Sequence, residues 1–394
     1  MGTSDGTVLG VTKIAGSGSA SARYNVVLLG DGYRATEMAQ YATNAQSFVD
    51  ALFATPPFNE TVLFATRYSS ALNVWRVDVT STQSGADDPT SCTGGTGATA
   101  ATYFDARFCN SGIRRLLQVN NATAINVATA QVPHWHMIMV LVNSSIYGGG
   151  GGDVATYSMA PDALEIGIHE MGHTAFGLAD EYEYWAGCGV DTSRNNHPAS
   201  EPGEPNVTIN RNRATIKWGD LILPTTPMPT TSNANCALCD PQPNPVGTNT
   251  VGAFEGAHYY HCDAFRPQFN CKMRALGQDF CAVCKRVIRH TLNPFLPKVK
   301  IPDLFDLLDY LRGKLKGDWV SDPGPLEILR LLEILARGRP EELKPQVDDL
   351  STLIAGIDQM SSFELRGALL RVRSGIARLE TAAKLIENQI EGKR

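Results

Sequence analysis

HEMGHTAFGLADE, residues 169–181, is the stretch of sequence that decides the fold of this chain. Residues four apart on a helix share a face, so His169 and His173 are predicted to present two imidazoles to one metal ion. Gly177 is predicted to end the helix, because glycine adopts a left-handed turn without a Cβ penalty. The chain then returns, and either Asp180 or Glu181 can supply a third, carboxylate ligand.

Two histidines, one carboxylate and an open fourth position are typical of a hydrolytic Zn²⁺ site. Glu170 lies between the histidines, where its carboxylate can take a proton from a water molecule at the metal. The alternative is an ordinary amphipathic helix whose histidines are solvated or buried, and an apolar stripe at helical spacing is compatible with it. That alternative does not explain the acidic return after Gly177, so we favour the metal site.

The pattern of apolar runs predicts an α+β catalytic domain over residues 23–297, after a flexible segment at residues 1–22. Strands that alternate with helices favour a twisted sheet that is mixed but largely parallel. The predicted strands are residues 24–30, 74–79, 137–142 and 154–159, and the predicted helices ahead of the metal motif are residues 36–53 and 112–119. A run of five glycines, residues 148–152, precedes the last of these strands and predicts either a close backbone approach or a flexible loop.

Residues 298–394 differ sharply in composition and predict a C-terminal all-helical domain. Leucine, isoleucine, glutamate, arginine and lysine dominate there, and cysteine is absent. Apolar residues alternate spacings of four and three over almost four heptads: Leu365, Leu369, Val372, Ile376, Leu379, Ala383, Ile386 and Ile390. A helical bundle is the favoured outcome, and self-association or docking of a partner through a coiled coil is the alternative.

Nine cysteines indicate an oxidising compartment, and we expect a secreted, extracellular protein although residues 1–17 lack a signal-peptide pattern. Cys92 and Cys109 close a short loop and are candidates for a disulfide bond. The pairs Cys236-x-x-Cys239 and Cys281-x-x-Cys284 suit either disulfides or one shared structural zinc. We favour disulfides, because the gap between the pairs is longer than in zinc ribbons.

The charge and hydropathy of the chain exclude several kinds of partner. The net charge is −6 over 394 residues, which argues against nucleic acid and anionic membranes as partners. No run of about 18 apolar residues occurs, so we expect no membrane span. Hydrophobic residues make up 43% of the chain, which is enough for a sizeable core.

Five segments, residues 26–33, 83–87, 169–182, 254–259 and 265–274, resemble the bacterial immunoglobulin A peptidase family of metzincin-like zinc endopeptidases. The string HEMGHTAFGLADEY at residues 169–182 is the most specific of them, and the match spans about residues 25–290. The resemblance implies a zincin fold, in which a twisted sheet carries a backing helix and an active-site helix. It also implies Zn²⁺ as the cofactor and a protein or peptide substrate.

The resemblance further offers Met273 as the methionine of a turn beneath the metal. Glycine and third ligand each come one residue later than in the commoner string H-E-x-x-H-x-x-G-x-x-H. We favour Asp180 as the ligand, with Glu181 orienting an imidazole or capping the turn. A donor to the transition state is also expected, and the candidates are Tyr157, His258, Tyr259 and Arg274.

The sequence therefore predicts a zinc-dependent endopeptidase in which Glu170 is the general base. Two alternatives stay open. One is a metal-dependent amidase or peptidase that acts on short or cell-wall peptides. The other is a non-catalytic binding module that keeps the fold, and the intact Glu170 argues against it because only chemistry requires that residue.

Overall fold

The structure is a computed structural model that describes residues 2–63 and 66–297. The chain divides into two units, one of residues 1–60 with 67–297 and one of residues 61–66 with 298–394. The predicted C-terminal helical domain, and any self-association through it, lies outside the described residues and stays a prediction. Within the described part of the chain, no helix is long and apolar enough to cross a membrane.

The described residues form ten strands and four α-helices. The strands are β1 Gly6–Ala15, β2 Tyr24–Asp31, β3 Thr61–Leu63, β4 Thr66–Arg67, β5 Leu72–Ser81, β6 Met137–Val142, β7 Gly149–Gly150, β8 Ala155–Ser158, β9 Phe254–Ala257 and β10 Tyr260–Arg266. The helices are α1 Met38–Ala54, α2 Asn121–Gln131, α3 Ala163–Phe176 and α4 Ala282–Leu292. Short 3₁₀ turns occur at Thr3–Asp5, Ala20–Ala22, Ala35–Glu37, Tyr68–Ala71, Gly219–Leu221 and Asn293–Phe295.

A mixed six-stranded sheet, in the order β1-β5-β2-β6-β8-β7, forms the centre of the larger unit. The pairings of β5 with β2, β2 with β6 and β6 with β8 are parallel, whereas both outer pairings are antiparallel. Strands β2 and β6 are buried along their whole length, as expected for parallel strands covered on both faces. The predicted mixed, largely parallel sheet is confirmed, and it is compatible with a metallopeptidase domain.

Helices cover the two faces of this sheet. On one face, Ala124, Val127 and Ala128 of α2 pack in a buried cluster with alternate residues of the strands, among them Val27 and Val140. On the other face lie α1 and α3, the predicted backing and active-site helices. Phe48 of α1 lies 5.6 Å, centroid to centroid, from the ring of Tyr157 on β8. The same two rings lie close to Gly167 of α3, so α3 is fixed against both the sheet and α1.

Two predictions about local structure are wrong. Residues 6–15, expected to be flexible, form strand β1, which pairs with β5 from Gly6↔Ser81 to Ala15↔Val74. The Gly-, Ser- and Thr-rich composition of residues 1–22 as a whole did not indicate this strand, and none of the residues of β1 is buried. Residues 112–119 form turns and bridges instead of a helix, and the helix comes later, with Asn120 as its side-chain cap.

Four of the five glycines in the run, residues 148–151, lie so close to their surroundings that an added Cβ would be within 2.7 Å of another atom, whereas nothing lies within 4 Å of one on Gly152. A Cβ on Gly149 would lie 2.7 Å from both Glu170 Oε1 and Ile166 Cγ2, and one on Gly151 would lie 2.6 Å from His173 Cβ. Strand β7, within this run, pairs with β8 and is the edge strand of the sheet. Its Gly149 carbonyl also accepts a hydrogen bond from the Leu117 amide. The backbone therefore lies directly on α3 beside the histidines.

Gly149→Ala should lower the free energy of unfolding by about 1–3 kcal/mol, because the added methyl group has no room against the helix. Gly203→Ala is the matched control, since nothing lies within 4 Å of a Cβ at that position. Urea denaturation of the two variants and the native chain measures the difference. Equal unfolding midpoints for all three proteins would show that the glycine run is not closely packed.

Candidate metal centre

Helix α3 carries the two histidines on one face and ends where the sequence predicts. Gly177 is the C-cap, with φ 60 in the left-handed region, and its N–H donates to the His173 carbonyl at 3.0 Å. The next amide, of Leu178, donates to the Gly172 carbonyl at 3.1 Å. This pair of hydrogen bonds closes the last turn of the helix and sends the chain back toward it.

The hydrogen bonds of the two imidazoles fix which nitrogen carries the proton. His169 Nδ1 lies 2.9 Å from the Lys272 carbonyl, and His173 Nδ1 lies 2.6 Å from the Leu178 carbonyl. A carbonyl oxygen only accepts, so Nδ1 is the donor in both rings. Each neutral ring then presents the lone pair of its Nε2, and the two Nε2 atoms are 3.1 Å apart.

Asp180 places a carboxylate oxygen against both of these nitrogen atoms. Its Oδ1 lies 3.0 Å from His169 Nε2 and 3.2 Å from His173 Nε2. This oxygen is buried and has no hydrogen-bond partner among the described residues. Burial lowers the pKa of His173, but the charge of Asp180 and the hydrogen bond to it, together with Glu170 and the Leu178 carbonyl, raise this pKa to about 9. The three acceptor atoms therefore create a site that favours bound positive charge.

The spacing of these atoms fits a Zn²⁺ ion. A tetrahedral zinc with ligand distances of about 2.0–2.2 Å keeps its ligand atoms roughly 3.3–3.5 Å apart, and the separations here are 3.0–3.2 Å. The donors also suit zinc, because imidazole and carboxylate are its usual ligands in catalytic sites. A buried carboxylate oxygen without a proton donor is the feature that a cation would satisfy.

Two tyrosine hydroxyl groups orient the other oxygen of Asp180. Tyr182 donates to Oδ2 at 2.8 Å and Tyr259 donates to the same atom at 2.7 Å. The backbone contributes as well, since the His258 N–H donates to the Asp180 carbonyl at 3.1 Å. With Oδ2 held in this way, Oδ1 is directed toward the histidines.

Glu170 lies beside the imidazoles without replacing Asp180. One of its oxygens lies within 4.8 Å of a ring nitrogen of His169 and of one of His173. The side chain is 9% exposed and packs against the glycine run. Burial raises the pKa of the Glu170 carboxyl, and a raised pKa suits a group that exchanges protons near neutral pH.

Glu181 and Met273 are both fully buried, and a main-chain hydrogen bond joins them. The Glu181 N–H donates to the Met273 carbonyl at 2.7 Å. The Met273 thioether lies under α3, where a Cβ on Gly172 would be 2.5 Å from its Sδ. The sequence analysis predicts that the side chain of Glu181 orients an imidazole or caps the turn, and the structure places it elsewhere. It faces Asn206 and two cysteines instead.

The structure does not bring all candidate donors to the site. Tyr157 is in the core against Phe48, and its hydroxyl group has no hydrogen-bond partner among the described residues. Arg274 binds the Phe269 carbonyl and the Asn270 side chain, away from the imidazoles. Their assignment as donors stays a prediction. The ring of His258 is hydrogen-bonded to His197, and of the four candidates Tyr259 alone contacts the Asp180 carboxylate in the described part of the chain.

Sequence reasoning missed several residues that build the site. Tyr182 carried a signal, because residues two apart in an extended segment share a side. Asn206 holds both the N–H and the carbonyl of Ala179, at 2.8 and 2.9 Å, and nothing in its local sequence indicated this. Arg115, whose guanidinium donates to the Trp185 carbonyl at 2.8 Å, interacts electrostatically with Asp180 and Glu170. The sequence analysis predicts a helix at residues 112–119 and therefore gives no reason to place Arg115 at the site.

The cysteines divide into two groups. The predicted disulfide Cys92–Cys109 is confirmed, and the residues of the first C-x-x-C pair bond to different partners, as Cys188–Cys239 and Cys236–Cys262. The expectation of disulfides was wrong for the second pair. Cys271, Cys281 and Cys284 are free and buried.

The comparison with family models adds an independent finding. The model of the IgA Peptidase M64 family matches residues 12–237 and 233–292, which is most of the chain and includes every residue of the site described above. The chain belongs to this family. It is therefore a peptidase of a metallopeptidase family, as the sequence resemblance predicted. The comparison with curated proteins finds no match.

Tyr182→Phe and Tyr259→Phe should each weaken zinc binding by about 10–100-fold, because each removes one hydrogen bond that orients Asp180. Tyr184→Phe is the control, since Tyr184 stacks on Tyr182 with a centroid distance of 4.9 Å but does not contact Asp180. Competition with a chromophoric zinc chelator measures the affinity. Native affinity in both test variants would mean that the hydroxyl groups do not position the carboxylate.

Proposed function

We propose that this protein is a zinc-dependent endopeptidase whose metal is held by His169, His173 and Asp180. The observation that carries the proposal is the convergence of two Nε2 lone pairs and one unpaired carboxylate oxygen within 3.2 Å of one another. No proton donor of the described residues satisfies that oxygen. Membership of a metallopeptidase family supports a metal as the missing partner.

When bound, Zn²⁺ lowers the pKa of a coordinated water toward about 7 and polarises the scissile carbonyl group. Glu170 accepts the proton of the attacking water at its carboxylate and passes it to the leaving amine. Tyr182 and Tyr259 hold the Asp180 carboxylate so that its Oδ1 and the two imidazoles face the same point. The Lys272 and Leu178 carbonyls accept from the Nδ1–H groups and so select the tautomer in which each neutral ring offers its Nε2 lone pair.

Two features favour an endopeptidase of the zincin type over the other candidates. The sheet has an antiparallel edge strand beside the helix that carries both histidines, and α1 packs behind that helix. Glu170 is buried against Gly149, and a non-catalytic module would not need a buried acid at this position. Three disulfides support our proposal that the protein works in an oxidising, extracellular compartment.

Glu170→Gln should lower kcat by about 10²–10⁴-fold, because the amide cannot accept the proton of the attacking water. The variant should keep its zinc, since Glu170 is not among the three proposed ligands. Cleavage of casein and of a fluorogenic peptide library, with zinc content measured on the same samples, makes the test. The library also separates an endopeptidase from an enzyme of short peptides.

Glu37→Gln is the matched control for this experiment, because it makes the same chemical change in a surface ion pair with Arg34. It should leave both activity and zinc content at native values. Native kcat in Glu170→Gln would contradict the proposed general base. Loss of zinc from that variant would instead make Glu170 a ligand.

A further inference from the structure

A second cluster of metal-binding side chains lies behind the proposed catalytic centre. The carboxylate of Glu181 and the thiols of Cys271, Cys281 and Cys284 are all buried, and one ligand atom of each lies within 4.8 Å of the others. Glu181 Oε1 is 3.3 Å from Cys284 Sγ and 3.6 Å from Cys281 Sγ. The Sγ atoms of Cys271 and Cys284 are 3.7 Å apart. None of these side chains takes part in the proposed reaction.

These separations suit four ligands around one ion. A tetrahedral Zn²⁺ with bonds of about 2.3 Å to sulfur and 2.0–2.2 Å to oxygen keeps two sulfur atoms roughly 3.8 Å apart, and a sulfur and an oxygen roughly 3.5 Å apart. A disulfide bond between Cys271 and Cys284 would require an approach to about 2.05 Å. It would also leave the thiol of Cys281 and the buried carboxylate without a use.

The surroundings of the sulfur atoms favour thiolates. Cys271 Sγ accepts hydrogen bonds from the Cys281 N–H at 3.2 Å and from the Met273 N–H at 3.5 Å. Cys281 is the N-cap of α4, and its Sγ accepts from the Cys284 N–H at 3.4 Å. Main-chain donors and the positive end of a helix stabilise negative charge on sulfur.

The carboxylate of Glu181 also lacks the partner that its burial requires. Oε1 accepts from the Asn206 side chain at 2.9 Å, but Oε2 is buried without a hydrogen bond in the described part of the chain. Arg266 is a buried cation, yet it donates to the main-chain carbonyls of Phe269, Glu255 and Gly256 instead. A buried carboxylate without an opposite charge is costly, and a metal ion bound at Oε1 among the thiols would neutralise it.

We propose that Glu181, Cys271, Cys281 and Cys284 bind a second zinc ion with a structural role. The three thiols each release a proton to solvent, and the three thiolates and the carboxylate each donate an electron pair to Zn²⁺, so nothing is oxidised or reduced. Four protein ligands leave no open position, which is typical of structural and not catalytic zinc. Soft sulfur donors also favour zinc over magnesium or calcium.

This ion would join the two segments that position the proposed catalytic ligands, a consequence that rests on the proposed function. Glu181 follows Asp180 directly in sequence. Cys271 precedes Lys272, whose carbonyl holds the His169 ring. The Glu181 N–H already donates to the Met273 carbonyl, and the metal would add a second, stronger connection between the same segments.

Zinc content and cobalt spectra of the full-length chain test the proposal. We expect two zinc ions per chain in the native protein and one in each of two double variants, His169→Ala/His173→Ala and Cys281→Ser/Cys284→Ser. The histidine variant is the matched control, because it leaves the thiol cluster intact. After replacement of zinc by Co²⁺, it should keep the near-ultraviolet charge-transfer absorption of thiolate–cobalt bonds, and the cysteine variant should lose it.

If the cysteine variant does not fold, Glu181→Gln and the native chain keep the test decisive. Titration of the native thiols with a mercurial should release one zinc as three thiols react, and Glu181→Gln should hold that zinc more weakly. One zinc per chain without thiolate–cobalt absorption, or a Cys271–Cys284 disulfide in a peptide map, would overturn the proposal. The result for Glu170→Gln is independent, so failure of one proposal is distinguishable from failure of the other.

Discussion

The reversal of the chain after helix α3 is the constraint on which the rest of the site depends. The left-handed turn at Gly177 directs the Leu178 carbonyl back to His173 Nδ1 and brings Asp180 against both imidazoles. A residue with a Cβ in place of Gly177 would strain this turn. Without the turn, the two histidines would still share a helix face, but the third acceptor and the orienting carbonyl would both be lost.

A second segment, which contains Lys272 and Met273, contacts both helix α3 and the chain that returns after it. The Lys272 carbonyl binds His169, the Met273 carbonyl accepts from the Glu181 N–H, and the Met273 thioether lies against α3 at Gly172. Each contact joins residues about 90–105 apart in the chain, so the helix, the return and this turn must be positioned together. The proposed structural zinc lies where the two segments meet, and it would fix them with bonds stronger than hydrogen bonds.

The parts of the molecule that follow from local patterns could be predicted. The spacing of His169 and His173, the stop at Gly177 and the buried apolar stretches within β2 and β6 each depend on neighbours within a few residues. The prediction of a helix at residues 112–119 was wrong because this segment makes contacts outside regular secondary structure. One of them is the hydrogen bond from the Leu117 amide to the Gly149 carbonyl. Helical periodicity alone cannot distinguish such contacts from a helix.

Contacts between distant segments could not be predicted in this way. Tyr259 reaches Asp180 from 79 residues away, and Asn206 reaches Ala179 from 27. Spacing also could not group Cys271 with the second C-x-x-C pair and Glu181, since a cysteine pattern by itself does not determine which thiols meet. The first C-x-x-C pair shows the same limit, because its two residues bond to different partners on either side.

The sequence leaves open whether Asp180 or Glu181 faces the two histidines, and the structure gives a physical reason for the choice. Successive side chains of an extended backbone point to opposite sides, so only one of two neighbours can face the histidines. Tyr182 lies on the same side as Asp180 and donates to it, whereas Glu181 turns toward the thiols. In a helix, residues two apart do not face each other, so Tyr182 would not lie beside Asp180. The irregular return after Gly177 separates Asp180 from Glu181, and two neighbouring carboxylates thereby face two different clusters.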